Sequence, residues 1–334
     1  MTDHVTPTIA RDRLVALLSA AARQQVLIIG DAMLDVYLRG TVDRISPEAP
    51  VPVVRVEERR LALGGAANVA QNVAALGARC DLVAVVGDDS GGVTLRDHLK
   101  SAGIRERSLV TISRPTTTKT RVMARSQQLV RFDEEVDADL NVNEIAMVLT
   151  AIERAMPDAT ALIFEDYNKG VLVPAVIEGA IRLAQARNLP IVVDPKFRNF
   201  FAYRGATVFK PNRRELESAL GAAVDLDHPE ALPQTFQRLG VEHLLLTLGE
   251  RGMALLAADG VVHRVPTTAR EVYDVVGAGD TVTAYLATML ASGATALEAA
   301  IVANYAAGVE VGKLGAATVA GGEVLDAYDE HMAG

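Results

Sequence analysis

"ALIFEDYNKGVLVPAVIEGAIRLAQARNLPIVVDP", residues 161–195, decides the fold. It contains a short apolar run, then a segment whose apolar residues recur at helical spacing, then a second apolar run. Short apolar runs joined by a helix are typical of parallel strands that are buried on both faces of a sheet. The same rhythm recurs from the run at 26–31 to the strand at 243–249, before a hairpin at 253–265. The sequence therefore predicts an α/β fold with a mostly parallel central sheet and helices on both faces.

Composition narrows the possible functions. The chain has 334 residues, of which 50% are hydrophobic and 22% charged, with a net charge of −9. This acidity argues against non-specific binding to nucleic acid or to an anionic membrane. Cys80 is the single cysteine, so no intrachain disulfide can form. No apolar run approaches the roughly 20 residues of a membrane span, and a reducing cytoplasm is the expected location.

Two extended segments interrupt the strand–helix rhythm, at about 36–61 and 107–133. The first is rich in proline and the second alternates between apolar and polar residues, so neither is a long helix. We expect them to project from a single α/β core as a small antiparallel lid. Because so small a sheet is marginal alone, the lid is expected to cover a ligand or to join a homodimer.

One glycine-rich loop combines an anion-binding feature with an acid. "VVGAGDTV" places Gly277, Ala278, Gly279 and Asp280 at the start of an apolar helix. A dinucleotide fingerprint would need glycine or alanine where Val282 stands, and no Walker A motif occurs. The amides of a helix N-terminus can stabilise negative charge, and a carboxylate beside them can remove a proton from an attacking hydroxyl. This combination favours phosphoryl transfer, although Asp280 could also simply start the helix.

Three further short motifs lie directly before or after predicted strands and are candidate binding sites. Each has an ordinary structural alternative, namely close packing at a helix start, a tight turn, or a helix N-cap. The functional interpretation is a ligand close to the backbone, with Mg²⁺ held through water at the last motif. The residues concerned are Gly64, Gly65 and Asn68 in "GGAAN", Thr247, Gly249 and Gly252 in "TLGERG", and Asn212 and Glu215 in "KPNRRE".

Together, these segments resemble the ribokinase-like (PfkB) sugar kinases across essentially the whole chain. "GGAANVAQNVAALGA" and "DVVGAGDTVTAYLA" are similar to the two signature regions of that family, in the family's order. "GDAMLDVYLRGTVDRISPEAPVPVV", "RPTTTKTRVMARSQQLVRFDEE", "EDYNKGVL" and "VVDPK" resemble the D-glycero-β-D-manno-heptose-7-phosphate kinases in particular. The resemblance implies a three-layer α/β/α fold, ATP and Mg²⁺, and transfer of the γ-phosphate to the anomeric hydroxyl.

The resemblance also implies a role for the residues of each of these motifs. Asp280 is the implied catalytic base, and the amides of Gly277, Ala278 and Gly279 form the implied anion hole. The nucleotide and its metal are assigned to Asn212, Glu215, Thr247, Gly249, Gly252 and Asn304. The sugar hydroxyls are assigned to Asp35, Gly64, Gly65 and Asn68. Asp274 and the backbone near Gly315 are candidates for a monovalent cation, K⁺.

Some relatives in this resemblance carry an additional adenylyltransferase domain. The present sequence ends at Gly334, after its last kinase-like helix. The expectation is one kinase domain over 1–334, with the adenylyltransferase activity on another protein.

Spacing, rather than resemblance, identifies candidate ligands for a sugar phosphate. In an extended segment, alternation would put Lys119, Arg121 and Arg125 on one face of the lid. Lys169 and Lys196, each just after a strand, are further candidates. An acidic protein needs such a basic strip to hold an anionic substrate. The alternative is that the strip is an ordinary solvated face.

Two other functions compete with a heptose-phosphate kinase. The first is a kinase of the same fold for another sugar or a nucleoside, for which the basic strip would have no purpose. The second is a regulatory nucleotide-binding protein that has lost catalysis, against which the intact Gly-Ala-Gly-Asp sequence argues.

Overall fold

The computed structural model describes residues 7–125, 127–227, 232–257, 259–269 and 271–333. Ser126 and Ala258, which fall inside the predicted lid and hairpin, lie outside these ranges. The helices are α1 (Arg11–Ala21), α2 (Ala66–Ala75), α3 (Ser90–Ser101), α4 (Val142–Ala155), α5 (Pro174–Gln185), α6 (Arg213–Leu220), α7 (Leu232–Leu239), α8 (Ala278–Ala291), α9 (Ala296–Glu310) and α10 (Gly321–Ala333). The strands are β1 (Gln25–Gly30), β2 (Ala32–Ile45), β3 (Pro52–Gly65), β4 (Arg79–Val83), β5 (Val85–Gly87), β6 (Val110–Ile112), β7 (Thr118–Ala124), β8 (Gln127–Glu134), β9 (Ala161–Glu165), β10 (Ile191–Asp194), β11 (Val208–Phe209), β12 (His243–Thr247), β13 (Met253–Ala257) and β14 (Val262–Val265).

The central sheet has the strand order β14-β13-β12-β11-β10-β9-β1-β4. The pairings from β12 through to β4 are parallel, and the hairpin of β13 and β14 adds two antiparallel strands at one edge. The mostly parallel sheet that the sequence predicts is confirmed.

Helices cover both faces of this sheet. Alternate residues of β1 belong to two separate cores, with Ile28 in one and Leu27 and Ile29 in the other. The first core includes apolar residues of α2, α8 and α9, and the second includes those of α4 and α5. The result is a three-layer α/β/α arrangement, as expected.

The lid is a four-stranded sheet in the order β3-β2-β7-β8. Its β2–β3 and β7–β8 pairs are antiparallel, but its central β2–β7 pair is parallel, so the lid differs from a purely antiparallel sheet. Its strands begin earlier than predicted, at Ala32. The predicted segment 107–133 also contains β6, which pairs with β5 in a separate two-stranded sheet.

Other boundaries also differ from the sequence expectations. The helix expected to open on Gly64 begins at Ala66, because Gly64 and Gly65 complete β3. Strands β4 and β5, separated by one residue, belong to different sheets. A further helix, α10, follows α8 and α9. Among the described residues, none of the helices is both long and apolar enough to cross a lipid bilayer.

Candidate active site

Polar residues gather where the parallel strands of the central sheet end. Glu165 and Asp194 are the last residues of β9 and β10, and Thr247 is the last of β12. Asp31 directly follows β1, and Lys210 directly follows β11. Because ligands of open α/β sheets bind at the carboxyl ends of the strands, this edge is where a functional site is expected.

Asp280 lies at this edge, in the first turn of α8. Its carboxylate is buried and accepts two hydrogen bonds, from Asn68 Nδ2 to Oδ2 (2.7 Å) and from the Tyr167 hydroxyl to Oδ1 (3.0 Å). Burial raises the pKa of Asp280 to about 6, with a further contribution from Asp194, while both hydrogen bonds and Lys210 oppose the rise. The group is therefore ionised at neutral pH and close to the pH range in which a general base works well.

Two more carboxylates surround Asp280. Oxygen atoms of Glu165, Asp194 and Asp280 all lie within 4.8 Å of one another, a spacing that a metal ion could bridge. Positive charge is already supplied by the buried Lys210, whose Nζ lies 2.9 Å from Asp194 Oδ2. Neither carboxylate oxygen of Glu165 has a hydrogen-bond partner among the described residues. Burial, followed by Asp194 and Asp280, raises the pKa of Glu165 well above its usual value.

The backbone at the start of α8 allows a ligand to approach it closely. Gly277 precedes the helix with φ of 100°, in the left-handed region that favours glycine. A methyl group added at Gly279 would lie 3.6 Å from Lys210 Nζ and 3.8 Å from Asp194 Oδ2. The first amides of a helix lack partners within the helix, so this turn presents both N–H groups and a nearby ammonium to an anion.

A cavity of about 590 Å³ opens beside this turn. Its wall is mostly apolar and includes Val272, Val275 and Val311. Most of the residues that were predicted to bind the nucleotide also line the cavity. Those residues are Asn212, Thr247, Gly249, Gly252 and Asn304, together with Ala278 and Gly279 of the predicted anion hole. The size and lining suit a nucleotide.

Glu215 stands at the rim instead of in the wall. It completes a capping box with Asn212, whose backbone N–H donates to Glu215 Oε2 (2.9 Å), and Lys196 Nζ lies 2.6 Å from Oε1. The helix-cap interpretation of this motif is confirmed. Because both carboxylate oxygens already have partners, the site fits a metal held through water better than one bound directly.

The predicted sugar residues contact Asp280 or lie close to one another. Asn68 of α2 contacts Asp280, and a methyl group added at Gly64 would lie 2.5 Å from Asp35 Oδ2. Gly65 has φ of 55°, and a methyl group there would meet the Asp31 carbonyl oxygen at 2.4 Å. Both glycines are therefore required for packing as well as for access.

Four of the five candidate cations for a sugar phosphate, Lys119, Arg121, Lys169 and Lys196, form ion pairs with carboxylates. Arg121 Nη1 lies 2.5 Å from Asp35 Oδ1. Lys119 and Lys169 share Glu135, at 3.4 and 2.6 Å. The structure thus brings Lys119, Arg121 and Lys169 to the lid side, whereas Lys196 lies beside Glu215, near the nucleotide cavity.

Arg125 does not belong to the strip. Strand β7 ends at Ala124, and Arg125 follows it in a turn with φ of 55°. The extended conformation therefore stops one residue too early for the alternation to reach Arg125.

Asp274, the candidate for a monovalent cation, connects two loops. Its Oδ1 accepts a hydrogen bond from the Val276 N–H and its Oδ2 accepts one from the Gly315 N–H, both at 3.1 Å. The predicted proximity of Asp274 to Gly315 is confirmed. Glu310, fully buried at the end of α9, stands nearby, and burial followed by Asp274 raises its pKa to about 8.

Sequence reasoning missed Tyr167, Glu165, Asp194 and Lys210 as parts of the site. A usable signal existed, since each residue ends or follows a strand that was predicted to be parallel. Applying the carboxyl-end rule to every strand would have found them.

The fold, the acid at a helix start and the adjoining cavity define a carbohydrate kinase. Residues 23–320 match the family model described as pfkB family carbohydrate kinase, and the chain belongs to that family. Membership implies ATP as the phosphoryl donor, a sugar as the acceptor and a divalent metal ion.

Curated relatives are considerably longer than this chain. The chain is 45% identical over 321 residues to the bifunctional protein HldE of Rhodospirillum rubrum, an alignment that covers 95% of this chain and 64% of that protein. It is 46% identical over 303 residues to the HldE protein of Paramagnetospirillum magneticum, covering 90% and 62%. The chain thus spans less than two thirds of the length of these relatives.

Solved structures share the fold at low identity. Ribokinase from Arabidopsis thaliana, complexed with ribose and ATP, superimposes with a TM-score of 0.71 at 18% identity, covering 91% of this chain and 98% of that one. Phosphofructokinase-2 from Escherichia coli, in complex with potassium, gives a TM-score of 0.73 at 19% identity, covering 92% and 98%. The expected ribokinase-like fold is confirmed.

Proposed function

We propose that the protein phosphorylates D-glycero-β-D-manno-heptose 7-phosphate at its anomeric C1 hydroxyl, using ATP, to give the 1,7-bisphosphate. The observation that carries the proposal is the position of the first turn of α8. Ala278 and Gly279 line the 590 Å³ cavity, while Asp280, the next residue, contacts Asn68 of α2, the helix that directly follows lid strand β3. A donor and an acceptor can therefore meet at one turn of helix.

The proposed reaction needs one base. Asp280 accepts the proton of the C1 hydroxyl as its oxygen attacks the γ-phosphorus of ATP and the bond to ADP breaks. Asp35, Gly64, Gly65 and Asn68 orient the sugar. With a pKa of about 6, Asp280 is ionised before the reaction and can release the proton to solvent afterwards.

The remaining groups manage negative charge. The amides of Gly277, Ala278 and Gly279 and the ammonium of Lys210 stabilise charge that develops on the transferring phosphoryl group. Magnesium, held through water at Glu215, would neutralise the nucleotide phosphates. Lys196 beside Glu215 adds a cation, because the attraction of Asp194 and Glu215 outweighs burial and raises its pKa. A monovalent cation at Asp274 would order the loop before α8.

The acceptor phosphate is assigned to Arg121, Lys119 and Lys169. These cations lie on the lid side and are paired with Asp35 and Glu135, which are carboxylates that a sugar could also engage. An unphosphorylated sugar would leave this cluster without a purpose, which favours the heptose phosphate over the alternative, a PfkB-family kinase for another sugar or nucleoside.

Replacing Arg121 with alanine should raise KM for the sugar phosphate by about tenfold to a hundredfold, because one charge-assisted contact to the phosphate is lost. KM for ATP should be nearly unchanged. Steady-state kinetics with each substrate varied in turn would measure both values.

The matched control is Arg55→Ala, which also removes a lid arginine. Arg55 is exposed and paired with Asp43 and Glu57, away from Asp35. Its KM values should equal those of the wild type. An unchanged sugar KM in the Arg121→Ala protein would exclude Arg121 as a phosphate ligand.

The function itself is tested by a kinase assay over heptose 7-phosphate, hexose 6-phosphates, free hexoses, ribose and nucleosides. We expect the highest kcat/KM with the heptose phosphate and a product phosphorylated at both ends. A preference for a free sugar or a nucleoside would replace the proposal with the alternative. Turnover of none of them would favour a regulatory protein.

The heptose product would supply ADP-heptose for lipopolysaccharide core synthesis, and the use of ATP favours a cytoplasmic location.

We further propose a homodimer joined through the lids. Val130 and Phe132 of β8, on one face of the lid, are about half exposed, at 50% and 49%. Phe132→Asp should convert the dimer to a monomer in light scattering, because a buried charge opposes association. Val142→Asp, an exposed site on α4, serves as the control. A wild-type monomer would contradict the proposal.

A further inference from the structure

The Asp280 carboxylate is held on both sides. Asn68 Nδ2 donates to one oxygen and the Tyr167 hydroxyl donates to the other, at 2.7 and 3.0 Å. Asn68 has also been assigned to the sugar, so its amide has two tasks. Tyr167 belongs to the loop after β9, and none of the roles implied by the sequence includes it.

The loop that carries Tyr167 is held in place by hydrogen bonds to Asp31. Asp31, buried at the end of β1, accepts backbone N–H bonds from Tyr167 (2.8 Å), Lys169 (3.0 Å) and Val171 (3.4 Å). The ammonium of Lys196 lies 5.3 Å from the centre of the Tyr167 ring. A methyl group added at Gly65 would lie 3.4 Å from the ring. These contacts restrict the orientation of the Tyr167 ring, and so direct its hydroxyl towards Asp280.

We propose that Tyr167 is a positioning residue for the base: its hydroxyl keeps Asp280 oriented, and keeps it ionised until it accepts the proton of the sugar hydroxyl. This inference rests on the proposed role of Asp280. It assigns the lasting hydrogen bond to Tyr167 and frees Asn68 to turn towards the sugar.

The surroundings explain why a second donor is needed. Carboxyl groups from three elements face the base, and one ammonium opposes them. They are Glu165 of β9, Asp194 of β10, Glu310 of α9 and Lys210 after β11. Burial and nearby acids disfavour an ionised Asp280, whereas a hydrogen bond to the ionised form favours it. Tyr167 stays protonated, and so remains a donor, because Asp280 and burial raise its pKa well above the usual value.

The test is the pH profile of kcat/KM for the sugar in three proteins. The wild type should lose activity as the pH falls through about 6, when Asp280 becomes protonated. In Tyr167→Phe, we expect this acidic limb to move up by about one pH unit, since a hydrogen bond to a charged group is lost. At pH 7 the variant should therefore be about twofold slower, with a larger difference at pH 6, and raising the pH should restore part of the difference.

Tyr203→Phe is the matched control. The Tyr203 hydroxyl is also buried and donates to a carboxylate, Asp166 Oδ2 at 2.8 Å, but it does not hydrogen-bond to Asp280. Its acidic limb should stay where it is in the wild type. An unshifted limb in Tyr167→Phe, or an equal shift in both variants, would overturn the proposal.

A second replacement covers the case in which Tyr167→Phe does not fold. Incorporation of 3-fluorotyrosine at position 167 keeps the size of the ring and strengthens the donor, so the limb should move to lower pH. No movement would overturn the proposal. The acceptor in all assays is whichever sugar or sugar phosphate the wild type uses, so a failure of the heptose assignment leaves this test intact.

Discussion

Replacing Asp280 with asparagine is expected to lower kcat by about 10²- to 10⁴-fold, the usual contribution of a positioned base, while ATP still binds. Asparagine matches aspartate in size but cannot accept the proton of the sugar hydroxyl. It also disturbs the site, because Asn68 and Tyr167 both donate to the native carboxylate. An amide offers only one acceptor oxygen, so one donor must face an NH₂ group.

Steady-state kinetics and calorimetric titration with a non-hydrolysable ATP analogue would measure the two properties separately. The control is Asp81→Asn, which also converts a buried acid to an amide. Asp81 lies near the start of β4, beside Gln25 and Arg105, away from the carboxyl ends of the strands. This control should lose stability but keep kcat. Activity of Asp280→Asn within tenfold of the wild type would exclude Asp280 as the base.

Replacing Lys210 with methionine is expected to have the second-largest effect, a fall in kcat of about 10²- to 10³-fold, typical of losing one group that stabilises transition-state charge. The fully buried ammonium lies next to Gly279, where the phosphoryl group is expected. Its pKa is raised because Asp194 and Glu165 outweigh burial, so the charge is present at neutral pH. Substrate KM values should change little.

A structural effect must be separated from this catalytic one. Lys210→Met leaves Asp194 buried without its cation, which costs about 3–5 kcal/mol of folding stability. In the double variant Lys210→Met/Asp194→Asn the unpaired charge is gone, so thermal stability should largely return. If Lys210 serves catalysis, kcat stays low in the double variant. Recovery of kcat together with stability would assign Lys210 a structural role only.

The central sheet could be predicted because its signals are local. Apolar runs such as 26–29 and 161–164 lie wholly within single strands. Because these strands are buried on both faces, the runs indicate a parallel sheet that is covered by helices on both sides. The helix starts at Asn212 and Gly277 were readable for the same reason.

The lid and the ion pairs depend on tertiary contacts that local patterns do not encode. The parallel pairing of β2 with β7 joins segments about 80 residues apart, for example Asp35 with Lys119. Glu135 becomes the partner of both Lys119 and Lys169 only when the lid meets the loop after β9. Tyr167 reaches Asp280 because Asp31, far away in sequence, fixes its loop. Periodicity carries no information on such partners.

The two hydrogen bonds to Asp280 also order the events of folding. They join residues 212 and 113 positions apart in the chain, and α8 packs on β9 and β10. Closing such long loops is slow compared with forming local structure. During synthesis, a nascent chain that ends before α8 lacks the base and leaves uncovered the part of one apolar core that α8 and α9 complete. The segment from α8 onwards thus completes the hydrophobic core and supplies the catalytic base in the same step.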